Sequence, residues 1–204
     1  MKIKKQLKKE ETKRKRDIAI SASIGVLMPY MVYVLNGEGI FIGWEVYFAY
    51  IYAAFVDLLV IINIIRSLSD NKFEFAINNQ KIKIKDSLFA SPIGINTNKI
   101  VYVDVSSRPQ GDFEILIIMD KGKKSRGFFE FDSSFIKMKS VYKKAYKYLH
   151  ETYPNKKFYC LMVKKGGCKK YQMLYMLYKN CYNAVFSPDA IEYIKTFIEE
   201  YNLG

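Results

Sequence analysis

Two apolar runs separated by only eight residues constrain this chain more than any other feature. The first, Ile18–Leu35 (IAISASIGVLMPYMVYVL), carries no charge; the second, Trp44–Ile65 (WEVYFAYIYAAFVDLLVIINII), carries only Glu45 and Asp57. A helix needs about 20 apolar residues to cross the hydrocarbon core of a bilayer, and both runs are of that order. A soluble fold would have to bury every face of two adjacent helices. The first run is too long for a signal-peptide core, and the VLNGEG after it offers no small-x-small cleavage site. The expectation is an uncleaved transmembrane hairpin, with spans at 18–35 and 44–65.

Charge sets the expected orientation. Residues 1–16 (MKIKKQLKKEETKRKR) hold nine basic and two acidic residues, the connector NGEGIFIG holds no Lys or Arg, and the second span stops at Arg66. Basic flanks stay on the cytosolic side, which places both termini in the cytosol of a multi-pass inner or plasma membrane protein. Trp44, Tyr47, Tyr50 and Tyr52 fit an aromatic belt at the outer interface. The net charge of +13 would suit nucleic acid or an anionic membrane. The adjacent spans favour an anionic phospholipid bilayer, and nucleic acid is not expected.

Asp57 interrupts the second span. On insertion scales a central Asp costs roughly 2.5–3.5 kcal/mol, so it is expected to face protein. Ala53 and Ala54, one turn away, permit close helix approach. At matching depth the first span offers Ser23 and Gly25, with Tyr30 a turn further out and leaning back toward Asp57. Three roles are open for Asp57: a pin between the spans, a contact for a membrane-protein partner or second copy, or a proton- or ion-handling group.

Beyond residue 70 the apolar period changes from helical to alternating. In KFEFAINNQKIKIKD, Phe73, Phe75, Ile77, Ile82 and Ile84 alternate with polar residues around an NNQ turn, giving a hairpin with one apolar and one basic face. Further strands are expected at 87–90, 99–105, 113–119 and 125–131, separated by SPIG, RPQGD and DKGKK. A helix comes next, capped by Asp132, Ser133 or Ser134, with Phe135, Met138, Tyr142, Ala145 and Leu149 inward and lysines outward. Tyr153-Pro154 ends it.

Residues 72–150, through FEFAINNQKIKIKD, INTNKIVYVDV, ILIIMDKGKKSRGFFEF and the closing helix, resemble bacterial pleckstrin-homology-like (PH-like) domains that come after short transmembrane hairpins. The resemblance implies a β-rich domain that makes protein or lipid contacts and has no enzymatic activity. It carries no invariant residues across.

The remaining segment reads as a strand at 157–163, a solvated KKGGCKK loop and two helices. Tyr171, Tyr175, Tyr178 and Tyr182 are spaced to share one helix face. That face reads as packing against the sheet, as a docking or headgroup surface, or as a base-stacking surface for RNA. Ser187 caps the last helix, Pro188 takes its first position, and Ile191, Ile194, Phe197, Ile198 and Tyr201 form its stripe.

The expected class is thus α+β, divided into a basic tail (1–16), a transmembrane hairpin (17–66), a PH-like domain with closing helix (67–152) and a strand–helix–helix extension (153–204). Cys160, Cys168 and Cys181 are odd in number and lack metal-ligand spacing, and His150 is the single histidine. No metal, cofactor or catalytic site is expected. The candidate surfaces are the Lys81/Lys83/Lys85 strand face, the Lys123/Lys124/Arg126 turn and the tyrosine helix. The expected role is an accessory, scaffold or regulatory membrane protein that binds a protein partner, a further copy or the lipid surface. The alternative is an immunity or transport-associated subunit that uses Asp57.

Overall fold

The computed structural model describes residues 3–70, 73–86, 90–108, 112–120 and 127–203. The chain is α+β and divides into two bodies, Lys8–Asn71 and the remainder, which includes residues 1–7.

The first body is built from α1 (Ile3–Gly37) and α2 (Glu45–Asp70). Both helices are long and apolar enough to cross a membrane. The basic segment is helical and continuous with the apolar run, α1 being one helix from Ile3 onward; its Lys, Glu and Arg are good helix formers. The Asn36-Gly37 pair and Gly39, at φ 71°, stop it. At the start of α2, Glu45 accepts a hydrogen bond from the Ile42 amide at 3.2 Å.

Each helix turns one narrow stripe inward. On α1 it contains Ile18, Ser21, Gly25, Met28 and Val32; on α2 it contains Ala49, Ala53, Val56, Val60 and Ile64. The spacing of three or four residues throughout is that of a helix–helix seam. Nearly all the other apolar side chains of both helices face outward.

In the second body, β1 (Glu74–Asn78), β2 (Lys81–Lys85) and β3 (Ile93–Asn96) form an antiparallel three-stranded sheet. Asn79 and Gln80 both take positive φ, so the expected hairpin closes in a two-residue turn. The SPIG segment is not wholly a turn: Ile93 and Gly94 already pair with β2. Most of the strand expected at 87–90 lies outside the described residues.

A second sheet has the order β6-β7-β5-β4-β8. It comprises β4 (Ile100–Ser107), β5 (Phe113–Met119), β6 (Phe128–Glu130), β7 (Tyr159–Val163) and β8 (Val185–Phe186). β7, from the segment read as an extension, lies between β6 and β5, and β8 pairs with β4 in parallel. The expected run of strands closed by a helix is therefore completed by two later strands, β7 and β8. Every residue of β5 is buried, because helices or strands cover both of its faces.

One face packs into a core with the three-stranded sheet, α5 (Lys169–Asn180) and α6 (Pro188–Tyr201), through Ile82, Ile84, Val103, Ile115, Ile117, Leu174 and Ile194. On the opposite face Leu116, Ile118 and Cys160 meet Phe135, Tyr142, Ala145 and Leu149. As expected, Ser187 caps α6, accepting from the Ala190 amide at 3.1 Å, with Pro188 at the first turn. Ile191, by contrast, turns outward, and Ala190, Ile194 and Phe197 carry the buried stripe. The start of α1 joins this body: Ile3 is buried against Cys168 and Phe197, and the Lys4 amide donates to the Glu200 carboxylate at 2.8 Å.

The expected single helix after residue 132 is broken. α3 (Ser133–Met138), capped by Asp132, ends at Lys139, whose φ and ψ of −134° and 68° leave the helical region. A 3₁₀ turn, Ser140–Tyr142, leads into α4 (Lys143–Thr152). Met138 was expected to face inward. The break turns it outward instead, and it is 75% exposed.

Candidate functional site

Two residues at the break, Lys139 and Tyr142, converge on one carboxylate. Glu114, on β5, points to the same face as Leu116 and Ile118 and is only 3% exposed. Arg108 donates to its Oε2 from Nε at 3.1 Å and from a terminal nitrogen at 2.7 Å. The Tyr142 hydroxyl donates to its Oε1 at 3.0 Å, and Lys139 Nζ lies 3.6 Å from the same oxygen. A buried carboxylate needs such donors, because desolvation disfavours its charged form. Burial alone would raise Glu114, but the bonds from Arg108 and Tyr142, with the charge of Lys139, more than offset it and hold the carboxyl below its usual range. Tyr142 moves the other way: burial and the adjacent Glu114 charge push its hydroxyl far up.

Lys139 and Tyr142 are three residues apart and both serve Glu114. The backbone between them is wound as a 3₁₀ turn, in which such residues eclipse. The neighbours of this pair then face away from the sheet. Met138, Val141 and Tyr148 are exposed together with Lys137, Lys143, Lys144 and Lys147.

A second buried acid, Asp104 on β4, accepts from the Val105 amide at 2.9 Å and is also bonded to Ser187, which ties the cap of α6 to the sheet. Burial dominates here, so Asp104 is raised. The KKGGCKK segment is not simply a solvated turn. Lys170, completely buried, reaches Asp112 Oδ1 at 2.6 Å, the Phe113 carbonyl, and the Lys164 carbonyl at 3.3 Å. Gly166 is held at φ 118° against the Phe73 ring, where a Cβ would come within 2.6 Å of a ring carbon.

The sequence-derived basic surface is present in part. Lys81 and Lys83 stand exposed on β2 and Lys85 is half-buried, with Ile82 and Ile84 inward. Gly94 lies opposite Lys83 and leaves it uncovered. Lys123, Lys124 and Arg126 lie outside the described residues.

The four tyrosines do not form one docking face. Tyr171 packs edge-on to Phe113, and Tyr175 lies beside Phe197. Tyr178 is half-exposed beside Phe186, and Tyr182 lies beyond the end of α5 and is 90% exposed. The spacing of 4, 3, 4 assumed a helix that continues through Tyr182, but α5 stops at Asn180. His150 packs against the Tyr146 ring, tilted to it, with centroids 4.3 Å apart.

In the hairpin, Asp57 Oδ1 is buried and has no hydrogen-bond partner among the described residues. It faces Gly25, where an added Cβ would lie 3.6 Å away. Ser23 instead bonds to the Ala19 carbonyl of its own helix, and Tyr30 is exposed. Ala53 is buried at the seam, but Ala54 faces outward. The polar contact that crosses the seam is Asn63 Nδ2 to Ser21 Oγ at 2.9 Å. Sequence reasoning passed over Asn63, although it lies on the same side of α2 as Val56 and Val60, seven and three residues before it.

Comparison with protein-family models, curated proteins and solved structures finds no match.

Proposed function

We propose that this is an integral membrane accessory or regulatory protein with both termini in the cytosol. Its basic α+β domain would engage a protein partner or the anionic membrane surface. The observation that carries this reading is the pair of long helices whose apolar side chains face outward, attached to a basic domain. Outward-facing hydrocarbon on that scale is stable in lipid. The PH-like resemblance supports the role, a β-rich platform for contacts without enzymatic activity. The strand order, with β7 interposed, means that the topology adds no support to it.

The test uses the whole chain expressed in cells. It should stay in the membrane through an alkaline carbonate wash, and protease should reach both termini only from the cytosolic face. Release by carbonate would overturn the reading.

The unpartnered Asp57 Oδ1 favours a second reading, a subunit of a larger membrane assembly in which another helix supplies the missing donor. Asp57→Asn and Asp57→Leu separate the roles. Loss of function in Asp57→Leu at normal expression supports the subunit role, and full activity removes it.

A further inference from the structure

We infer that the outer face of α3 and α4, centred on Met138 and Val141, lies on an anionic lipid surface. The inference rests on the membrane-anchored reading above and names the face involved. Met138 is 75% and Val141 65% exposed, on either side of the backbone break. Tyr148, seven residues after Val141 and so two helical turns along the same row, is also exposed, and Lys144 lies between them. Lys137 and Lys143 flank the apolar residues, and the nearby acid Glu151 already pairs with Lys147 at 3.7 Å.

Large apolar side chains set among lysines make up an interfacial amphipathic surface: the apolar groups enter the headgroup layer and the ammonium groups meet lipid phosphates. Single exposed apolar side chains are ordinary on a solvent-facing helix, but here Val141 and Tyr148 share a row with Lys144 between them and Met138 beside it. Here the geometry is imposed from within, because Glu114 draws Lys139 and Tyr142 inward and so turns Met138 and Val141 out. Charge and tethering identify the occupant. The face is basic, and the proposed spans keep it next to a bilayer at high effective concentration.

The test reconstitutes the full chain into symmetric vesicles, so that both insertion directions read alike. The lipid is phosphatidylcholine alone or mixed with phosphatidylglycerol. An environment-sensitive fluorophore is attached at Met138→Cys, or at Lys83→Cys on the β2 face. The three native cysteines are buried, and labelling of the unsubstituted chain gives the background. Quenching by nitroxide-bearing lipid is read. The label at 138 should be quenched severalfold more with phosphatidylglycerol than without, less at high salt, and less in a Lys143→Glu/Lys144→Glu background. The label at 83 should stay in water.

A label at 138 that remains in water with both lipids overturns the inference. If the label at 83 is quenched instead, the domain lies on lipid by another face, which overturns the inference and keeps the reading. If neither is quenched while the chain resists carbonate extraction, the inference falls and the protein-partner branch of the reading stands.

Discussion

Glu114 and Asp57 are both carboxylates in apolar surroundings, and the fold treats them differently. Glu114 receives donors from the end of β4 (Arg108), the break (Lys139) and the 3₁₀ turn (Tyr142). Asp57 Oδ1 faces Gly25 and receives none among the described residues. A sheet covered by helices brings distant parts of the chain around one point. Two helices share a single seam, and this one spends its hydroxyl and amide on the Ser21–Asn63 bond. The satisfied acid organises the local backbone, whereas Asp57 Oδ1, like Asp86 Oδ1 and Asp120 Oδ1 in the domain, is buried with no hydrogen-bond partner among the described residues.

The largest expected effect breaks the satisfied side of this contrast. Glu114→Ala removes the acceptor shared by Arg108, Tyr142 and Lys139 and opens space beneath Tyr142, so the lost hydrogen bonds to a charged group and the cavity should together cost about 3 kcal/mol. Denaturant melts of the domain signal in detergent check this. Tyr142→Phe removes one bond to the carboxylate and should cost about 1.5–3 kcal/mol. The same variant should relax the 3₁₀ turn, seen as faster amide exchange at Lys139–Tyr142.

The two acids of the domain should differ in their response to pH. The value of Glu114 is depressed in the folded state. Its stabilising contribution is therefore complete above the ordinary glutamate value of 4.5 and is lost as pH falls through the depressed value. Asp104 is raised, so its contribution is complete below the ordinary aspartate value of 3.8 and is lost as pH rises through the raised value. At neutral pH Glu114→Gln should therefore lower the melting temperature, whereas Asp104→Asn should leave it unchanged or raise it. Paired melts at neutral and acidic pH measure both, and a destabilising Asp104→Asn at neutral pH would contradict the contrast.

The smallest effect belongs to the hairpin. Asn63→Leu removes the bond across the seam and should cost about 0.6 kcal/mol, the average for such bonds between membrane helices. Helix-pair separation in lipid, read by energy transfer, should barely change. A large loosening would show that the seam depends on that bond more than on Gly25 and Ala53.

The apolar helices, the β1–β2 hairpin, β5 and the α6 cap were legible because each is written in a local period or cap: a long charge-free run, strict alternation, or Ser-Pro-Asp before an apolar stripe. The site was less legible. Arg108, just past the end of β4, and Glu114 on β5 are six residues apart, and Tyr142 lies twenty-eight residues beyond Glu114. Glu114 looked like an outward-facing residue of an alternating strand, and only the helices packed on that face bury it. Lys170 looked like part of a solvated lysine cluster, and only its approach to Asp112 and two carbonyls encloses it.

The sequence by itself determined the two-helix hairpin, the α+β class of the basic domain and the overall charge balance, because hydrophobic period and charge act over a few neighbouring residues. The tertiary structure decided the place of β7 within the sheet, the break at Lys139 and the outward turn of Met138. Each depends on a contact between residues distant in the chain, and the desolvation cost of Glu114 favours the contacts that gather at the break.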